Sequence, residues 1–248
     1  MHRIFGHAAH AAFKSTAAIA TAVVTLALLF GATGPAHAQD AKSPSPTMGP
    51  LEPYLMPSQA AEVALARSAA PPSVAGEAEV LALGRHGYET AVKGTNGFVC
   101  YVQRSWAADF ETPDFWNPRV RGPICLNAVS VRSILPPYLE LTRWVLAGAS
   151  KADLIERTKA ALAAHQIPAP EIGAMSFMMS KDGYLGDAAG GPWRPHVMFF
   201  MPRTDASEWG ANLHGAPVMS ASYSVVPITL FFVPVQKWSD GTPVPMGK

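Results

Sequence analysis

Side chains able to hold a ligand or an ion gather in one stretch of the last third of the chain. Trp193, Arg194 and His196 stand together as Trp193-Arg194-Pro195-His196. Asp187 and the glycines Gly186, Gly190 and Gly191 come just before, and Trp209, Asn212 and His214 shortly after. Imidazole and carboxylate suit zinc and similar ions, so His196, His214 and Asp187 are candidate metal ligands and would support metal-assisted hydrolysis. The spacing matches no established metal motif such as H-E-x-x-H, and no metal or cofactor is named by it. Rings, imidazoles, an arginine and an amide beside the mouth of one strand also suit a small-molecule pocket around His196. The plainer alternative is that these residues pack loops and satisfy backbone groups.

A second candidate lies earlier, in Leu83-Gly84-Arg85-His86-Gly87. The Arg-His-Gly tripeptide is similar to the signature of the histidine phosphatases. That resemblance implies phosphoryl transfer to His86, with Arg85 clamping the phosphate oxygens and His214, in His214-Gly215, as the second histidine. The context departs from that family. Residues 88–93 and 98–104 read as hairpin strands, which makes Arg85 and His86 the tip of a turn, where polar residues gather anyway. Of the other histidines, His2, His7, His10 and His37 lie in the N-terminal leader, and His165 reads as a cap at a helix C-terminus.

Other chemistry is absent from the sequence. There is no G-x-S-x-G elbow, no S-x-x-K, no P-loop and no G-x-G-x-x-G. Met175, Met178, Met179, Met198 and Met201 fall in apolar strands, where methionine is ordinary core filler. Cys100 and Cys125 are the only cysteines. Cys100 sits in the apolar strand Phe98-Val99-Cys100-Tyr101-Val102, away from the helix N-termini and cations that activate thiolates, so a disulfide between the two is expected.

The elements that must position these residues follow from periodicity and punctuation. A helix from about residue 57, with Ala60, Val63, Leu65 and Ala66 for its apolar side, stops before Pro71-Pro72. Residues 80–83, 88–93 and 98–104, separated by glycine turns, read as a three-stranded antiparallel meander. Residues 105–123, with Trp106, Phe110, Phe115 and Trp116, read as an ordered loop. Helices return from about residue 128, with a break at Pro136-Pro137. Ser150 and Asp153 form the capping box of a later helix ending near His165. Strands are expected at 175–179, 184–185, 197–201 and 225–235, the last partly an edge because of Pro227 and Pro234. Strands at both ends and helices in the middle predict an α+β fold: an antiparallel or mixed sheet with the helices on one face.

The N-terminus sets the compartment. Arg3 and Lys14 are the only charges before Asp40, residues 15–30 are apolar or small, and Ala36-His37-Ala38 supplies a signal-peptidase pattern. The expected division is a signal peptide over 1–38, a flexible Ser/Pro/Gly-rich linker over 39–56 and one domain over 57–248. The apolar core of the leader is shorter than the roughly 20 residues that span a bilayer, so no membrane insertion is expected after cleavage. Removing 38 of 248 residues leaves 210, enough for one well-buried core. That portion holds 22 of the 23 prolines, which favours short elements and fixed corners over a helical bundle. Its 17 basic residues against 18 acids leave a net charge near −1, with no basic cluster to seek nucleic acid.

Three stretches carry a wider likeness: Lys93-Gly94-Thr95-Asn96-Gly97-Phe98-Val99-Cys100, Gly183-Tyr184-Leu185-Gly186-Asp187, and Trp193-Arg194-Pro195-His196 leading into Phe199-Phe200. Through them the region from about residue 61 onward resembles a family of exported bacterial proteins to which no activity is attached. The resemblance implies export and a single domain, and no mechanism. The expectation is therefore an exported α+β protein, non-catalytic or binding a small molecule near His196, with the two hydrolase readings as alternatives.

Overall fold

The computed structural model describes residues 45–186 and 194–245. The leader, the start of the linker, Asp187 and Trp193 lie outside them. The fold is α+β: one mixed, open sheet of eight strands with helices packed against it. The strands are β1 (Glu79–Leu83), β2 (Tyr88–Val92), β3 (Val99–Gln103), β4 (Gly122–Leu126), β5 (Met175–Met178), β6 (His196–Pro202), β7 (Met219–Ser222) and β8 (Ile228–Pro234). Their order across the sheet is β2-β1-β3-β4-β5-β6-β8-β7.

The early meander is corrected. β1 and β2 form the expected antiparallel hairpin, closed by Gly84 N–H donating to the Gly87 carbonyl at 2.8 Å. β3, however, lies on the other side of β1 and runs parallel to it. The connection over 93–98 passes beneath the start of β1, with Thr95 N–H on the Glu77 carbonyl at 2.8 Å and Asn96 Nδ2 on the Val74 carbonyl at 2.8 Å. Gly94 permits the crossing: a Cβ there would stand 2.0 Å from the Glu79 nitrogen. Glycine is required for closeness of backbones, not for a hairpin turn.

Two strands fall where none is expected, β4 beside β3 and β7 outside β8. With β7 on the edge, β8 is interior. Its prolines are tolerated because Pro227 precedes the strand and Pro234 ends it.

The helices are α1 (Gln59–Arg67), α2 (Pro72–Ala75), α3 (Ala128–Ser133), α4 (Leu135–Leu146) and α5 (Lys151–Ala163). Ser58 caps α1 by accepting from Ala61 N–H, and the Ser150–Asp153 capping box starts α5 as expected. Pro136-Pro137 does not break α4 but begins it, occupying first-turn positions that need no donor. Strand alternation assigns the two faces of the sheet. Leu81, Leu83, Val99, Tyr101, Ile124 and Leu126 point to the main core, shared with Leu135, Tyr138 and Val145 of α4 and Leu154 of α5. Val80, Cys100, Val102 and Cys125 point the other way, onto Ala66 of α1, Ala69, Ala70 and Ala75. The middle helices thus keep to one face, and α1 with α2 adds a layer on the other.

Part of the stretch read as linker is built into the core. Tyr54 is 2 % exposed and donates its hydroxyl to the Trp116 carbonyl at 2.7 Å. The Arg121 guanidinium donates to the carbonyls of Pro53 at 3.0 Å and Leu55 at 3.3 Å. Ser, Pro and Gly density flags residues 39–56 as loose, but Leu51, Tyr54 and Leu55 supply apolar contacts that anchor the segment.

Candidate functional site

The pairing register decides what the His196 cluster can do. His196 opens β6 opposite Met178 and Pro234, on the face of Met198 and Phe200. Its Nδ1 lies 2.8 Å from the Arg194 carbonyl. A carbonyl only accepts, so Nδ1 carries the proton. The ring meets Phe232 edge-on at 5.7 Å between centroids. Burial lowers its pKa below the ordinary histidine value, against the opposing pull of the Arg194 carbonyl.

The other described members of the predicted cluster, Arg194, Trp209, Asn212 and His214, do not gather around His196. Trp209, 55 % exposed, stacks on Phe231 at 5.1 Å. Phe231 and Phe232 are successive residues of one strand and point to opposite faces. The sheet therefore stands between Trp209 and His196. Asn212, in a left-handed conformation with φ 61°, has a structural task. Its Nδ2 donates to Ser220 Oγ at 2.8 Å and its Oδ1 accepts from Ser220 N–H at 2.9 Å. It caps the outward backbone groups of edge strand β7, which would otherwise invite a further strand. Arg194 and His214 are exposed. Among the described residues no three of His, Cys, Asp and Glu come together to hold a metal ion. The pocket expected around His196, Trp209 and Asn212 is not formed by them.

Arg85 and His86 occupy the exposed tip of the β1–β2 hairpin. Arg85 reaches the Glu52 carboxylate at 3.5 Å, a contact between two solvent-exposed side chains. β1 is second in the sheet order and β7, which follows the His214 loop, is eighth. The phosphatase trio is thus drawn from the two ends of the sheet, with Arg85 and His86 at a hairpin tip.

The expected disulfide is present. Cys100 and Cys125 are directly opposed on β3 and β4, with Cα atoms 4.0 Å apart, and both are fully buried.

A concave site exists elsewhere. Between α4 and the main-core face of the sheet lies a cleft of about 570 Å³. Its walls include Trp106, Phe110, Tyr138 and Phe200, and its far side Tyr223 and Ile228 around the β7–β8 turn. Among the described residues its only charged lining residues, Glu140 and Arg143, form an ion pair with each other on exposed positions of α4. No histidine, cysteine or aspartate among the described residues lines it.

Four tyrosines gather against the core here, Tyr101 and Tyr138 buried and Tyr88 and Tyr223 half-buried, and the donor in each of their hydrogen bonds can be assigned. Tyr88 donates to the Val102 carbonyl at 2.6 Å. Its proton being spent there, the 3.1 Å contact between the Tyr88 and Tyr138 oxygens must be donated by Tyr138. The Tyr138 oxygen accepts from Arg104 N–H at 3.1 Å. Tyr223 donates to the Ala107 carbonyl at 2.8 Å. Tyr101 has one polar contact, accepting from Gln103 Nε2 at 3.5 Å. Burial raises the pKa of all four, and for Tyr88 it outweighs the opposing pull of the Arg104 charge. All four are neutral phenols at physiological pH.

Beneath them, Arg104 Nη2 donates to both Glu62 oxygens at 2.9 Å, and Arg104 Nε to the Tyr54 carbonyl at 2.7 Å. Glu62 Oε1 also accepts from Leu83 N–H at 3.1 Å. The pair ties α1, β1, β3 and the N-terminal segment into one support for the tyrosines.

Sequence reasoning passed over this site because its residues come from five separate stretches and each looks like core. The available signal was the tyrosine count on facing elements, Tyr88, Tyr101, Tyr138 and Tyr223, since a buried phenol needs a partner. Comparison with family models, with curated proteins and with solved structures finds no match to this chain.

Proposed function

We propose that this chain is an exported, non-catalytic protein that binds a small apolar molecule in the cleft between α4 and the sheet. The observation that carries the reading is the cleft itself. About 570 Å³ falls within the range typical of ligand pockets, and a mostly apolar wall with several aromatic rings and a few polar groups is the usual composition of one. Its lining offers no nucleophile with a base beside it, which favours reversible binding over hydrolysis. Export rests on the leader and is supported by the disulfide, which is characteristic of an oxidising compartment. Among the described residues no helix is long and apolar enough to cross a membrane.

The test is titration with Nile red, a neutral dye whose emission rises and shifts to the blue in apolar surroundings. Saturable one-to-one binding is expected. Val226→Trp, which adds bulk to the cleft wall, should weaken it at least tenfold, while Trp209→Ala on the opposite face should leave it unchanged. Binding indifferent to Val226→Trp and lost in Trp209→Ala would move the site to the exposed aromatic face and overturn the reading.

A further inference from the structure

We propose that Tyr101 is the orienting donor of this cleft, and that its ligand is a neutral, largely apolar molecule bearing a carbonyl oxygen. The proposal rests on the cleft being a ligand site.

The argument begins with the one phenol whose proton has no destination. Tyr88 and Tyr223 each give theirs to a backbone carbonyl, and Tyr138 gives its proton to Tyr88. Tyr101 is 1 % exposed, lines the cleft, and among the described residues finds no acceptor. Its single contact, from Gln103 Nε2 at 3.5 Å, lies at the outer limit of hydrogen bonding and uses the oxygen, not the proton. A buried hydroxyl donor without an acceptor is uncommon in folded proteins and asks for a partner from outside the chain.

The ring is held where such a donor is useful. Tyr101 packs edge-on to Tyr88 at 5.4 Å and against Tyr138 at 5.3 Å, so the hydroxyl is fixed before any ligand arrives. A carbonyl oxygen accepting from it would lie beside the Gln103 amide, a second neutral donor on the same wall. The rest of the molecule would meet Trp106, Tyr138 and Phe200.

Charge decides the class. Arg104, a buried cation, has its guanidinium engaged by Glu62, Tyr54 and Val102, and Arg143 at the cleft wall pairs with Glu140. A carboxylate or phosphate brought to Tyr101 would lose its hydration with no unpaired cation among the described lining residues to replace it, and burying an unpaired charge is strongly unfavourable. A neutral oxygen needs one good donor, which Tyr101 supplies.

The experiment uses the intact mature chain and three probes competing with Nile red: naphthalene, 2-acetylnaphthalene and 2-naphthoate. The ketone should bind about three- to tenfold more tightly than naphthalene, the gain of one net hydrogen bond. The carboxylate should bind more weakly than either. In Tyr101→Phe the ketone's advantage should vanish while naphthalene's affinity is unchanged. The ring remains and a weak contact is lost, so the variant should fold, which its thermal midpoint checks. A ketone advantage that survives Tyr101→Phe, equal binding of ketone and naphthalene by the parent, or tighter binding of the carboxylate would overturn the assignment. So would failure of both naphthalene and the ketone to displace bound Nile red, with the cleft reading left standing. Failure of Nile red itself overturns both.

Discussion

Arg104 and Glu62 meet as a bidentate pair at 2.9 Å, 42 residues apart in sequence, with neither side chain reaching solvent. Such a pair is not strongly stabilising in itself, because desolvation offsets most of the Coulomb attraction. Its members are nevertheless interdependent, since either one left alone is a buried charge. Arg104→Met or Glu62→Gln should lower unfolding free energy by about 3–5 kcal/mol in urea denaturation. The double variant Glu62→Leu with Arg104→Met should be more stable than Arg104→Met alone. Single variants within 1 kcal/mol of the parent would show that the network is not the support described above.

The tyrosines predict an ordering. Tyr138→Phe removes the acceptor of Arg104 N–H and the donor to Tyr88, leaving a buried backbone donor unsatisfied, and should cost about 1–3 kcal/mol. Tyr101→Phe removes a hydroxyl whose proton finds no acceptor among the described residues, and should be neutral or slightly stabilising. Paired urea curves for the two variants decide the matter. Equal losses would mean that Tyr101 has an internal acceptor.

Much of the fold is legible in the sequence where signals are local. The capping box at Ser150 and Asp153, the alternation of β3, and the pairing of Cys100 with Cys125 all depend on residues that reveal themselves within a few positions or by elimination. What is lost depends on distant partners. Gly94 looks like a turn residue because the sequence does not show Glu79 crossing 2.0 Å from its absent Cβ. β4 hides behind Gly122-Pro123, and β7, Met219-Ser220-Ala221-Ser222, has no apolar run because it is an edge. The candidate site suffers most. His196 and Asn212 attract notice for their chemistry, yet one is packed against Phe232 and the other caps a strand edge. The cleft is assembled from residues that, singly, are ordinary core.

The lowered pKa of His196 sets a sign for pH dependence. Burial disfavours its charged form, so between the folded value and the unfolded value of about 6.5 the unfolded chain binds more protons. Its contribution is fully present above about pH 6.5 and is lost as pH falls through that window toward the folded value. Stability measured in urea from pH 8 to pH 5 should therefore fall on the acid side, and His196→Phe should flatten that part of the profile. An unchanged slope in the variant would assign the acid sensitivity to other groups.

The disulfide joins β3 to β4 across a sequence separation of 25, enclosing the whole aromatic loop that carries Trp106 and Phe110 to the cleft. Both sulfurs face the α1–α2 layer, with Cys125 Sγ 3.8 Å from the Ala66 carbonyl. Closing a loop of this length restricts the unfolded chain by about 3.5 kcal/mol in the chain-entropy model, so Cys100→Ala with Cys125→Ala should lose about that much stability. Full burial adds a kinetic consequence. A reductant cannot reach the bond until the α1–α2 layer lifts or the domain unfolds. Reduction by dithiothreitol should then be slow in buffer and accelerate with urea in parallel with the unfolding rate, both followed by mass spectrometry of alkylated samples. Rapid reduction of the folded protein, at a rate proportional to reductant and indifferent to urea, would place the sulfurs within reach of solvent.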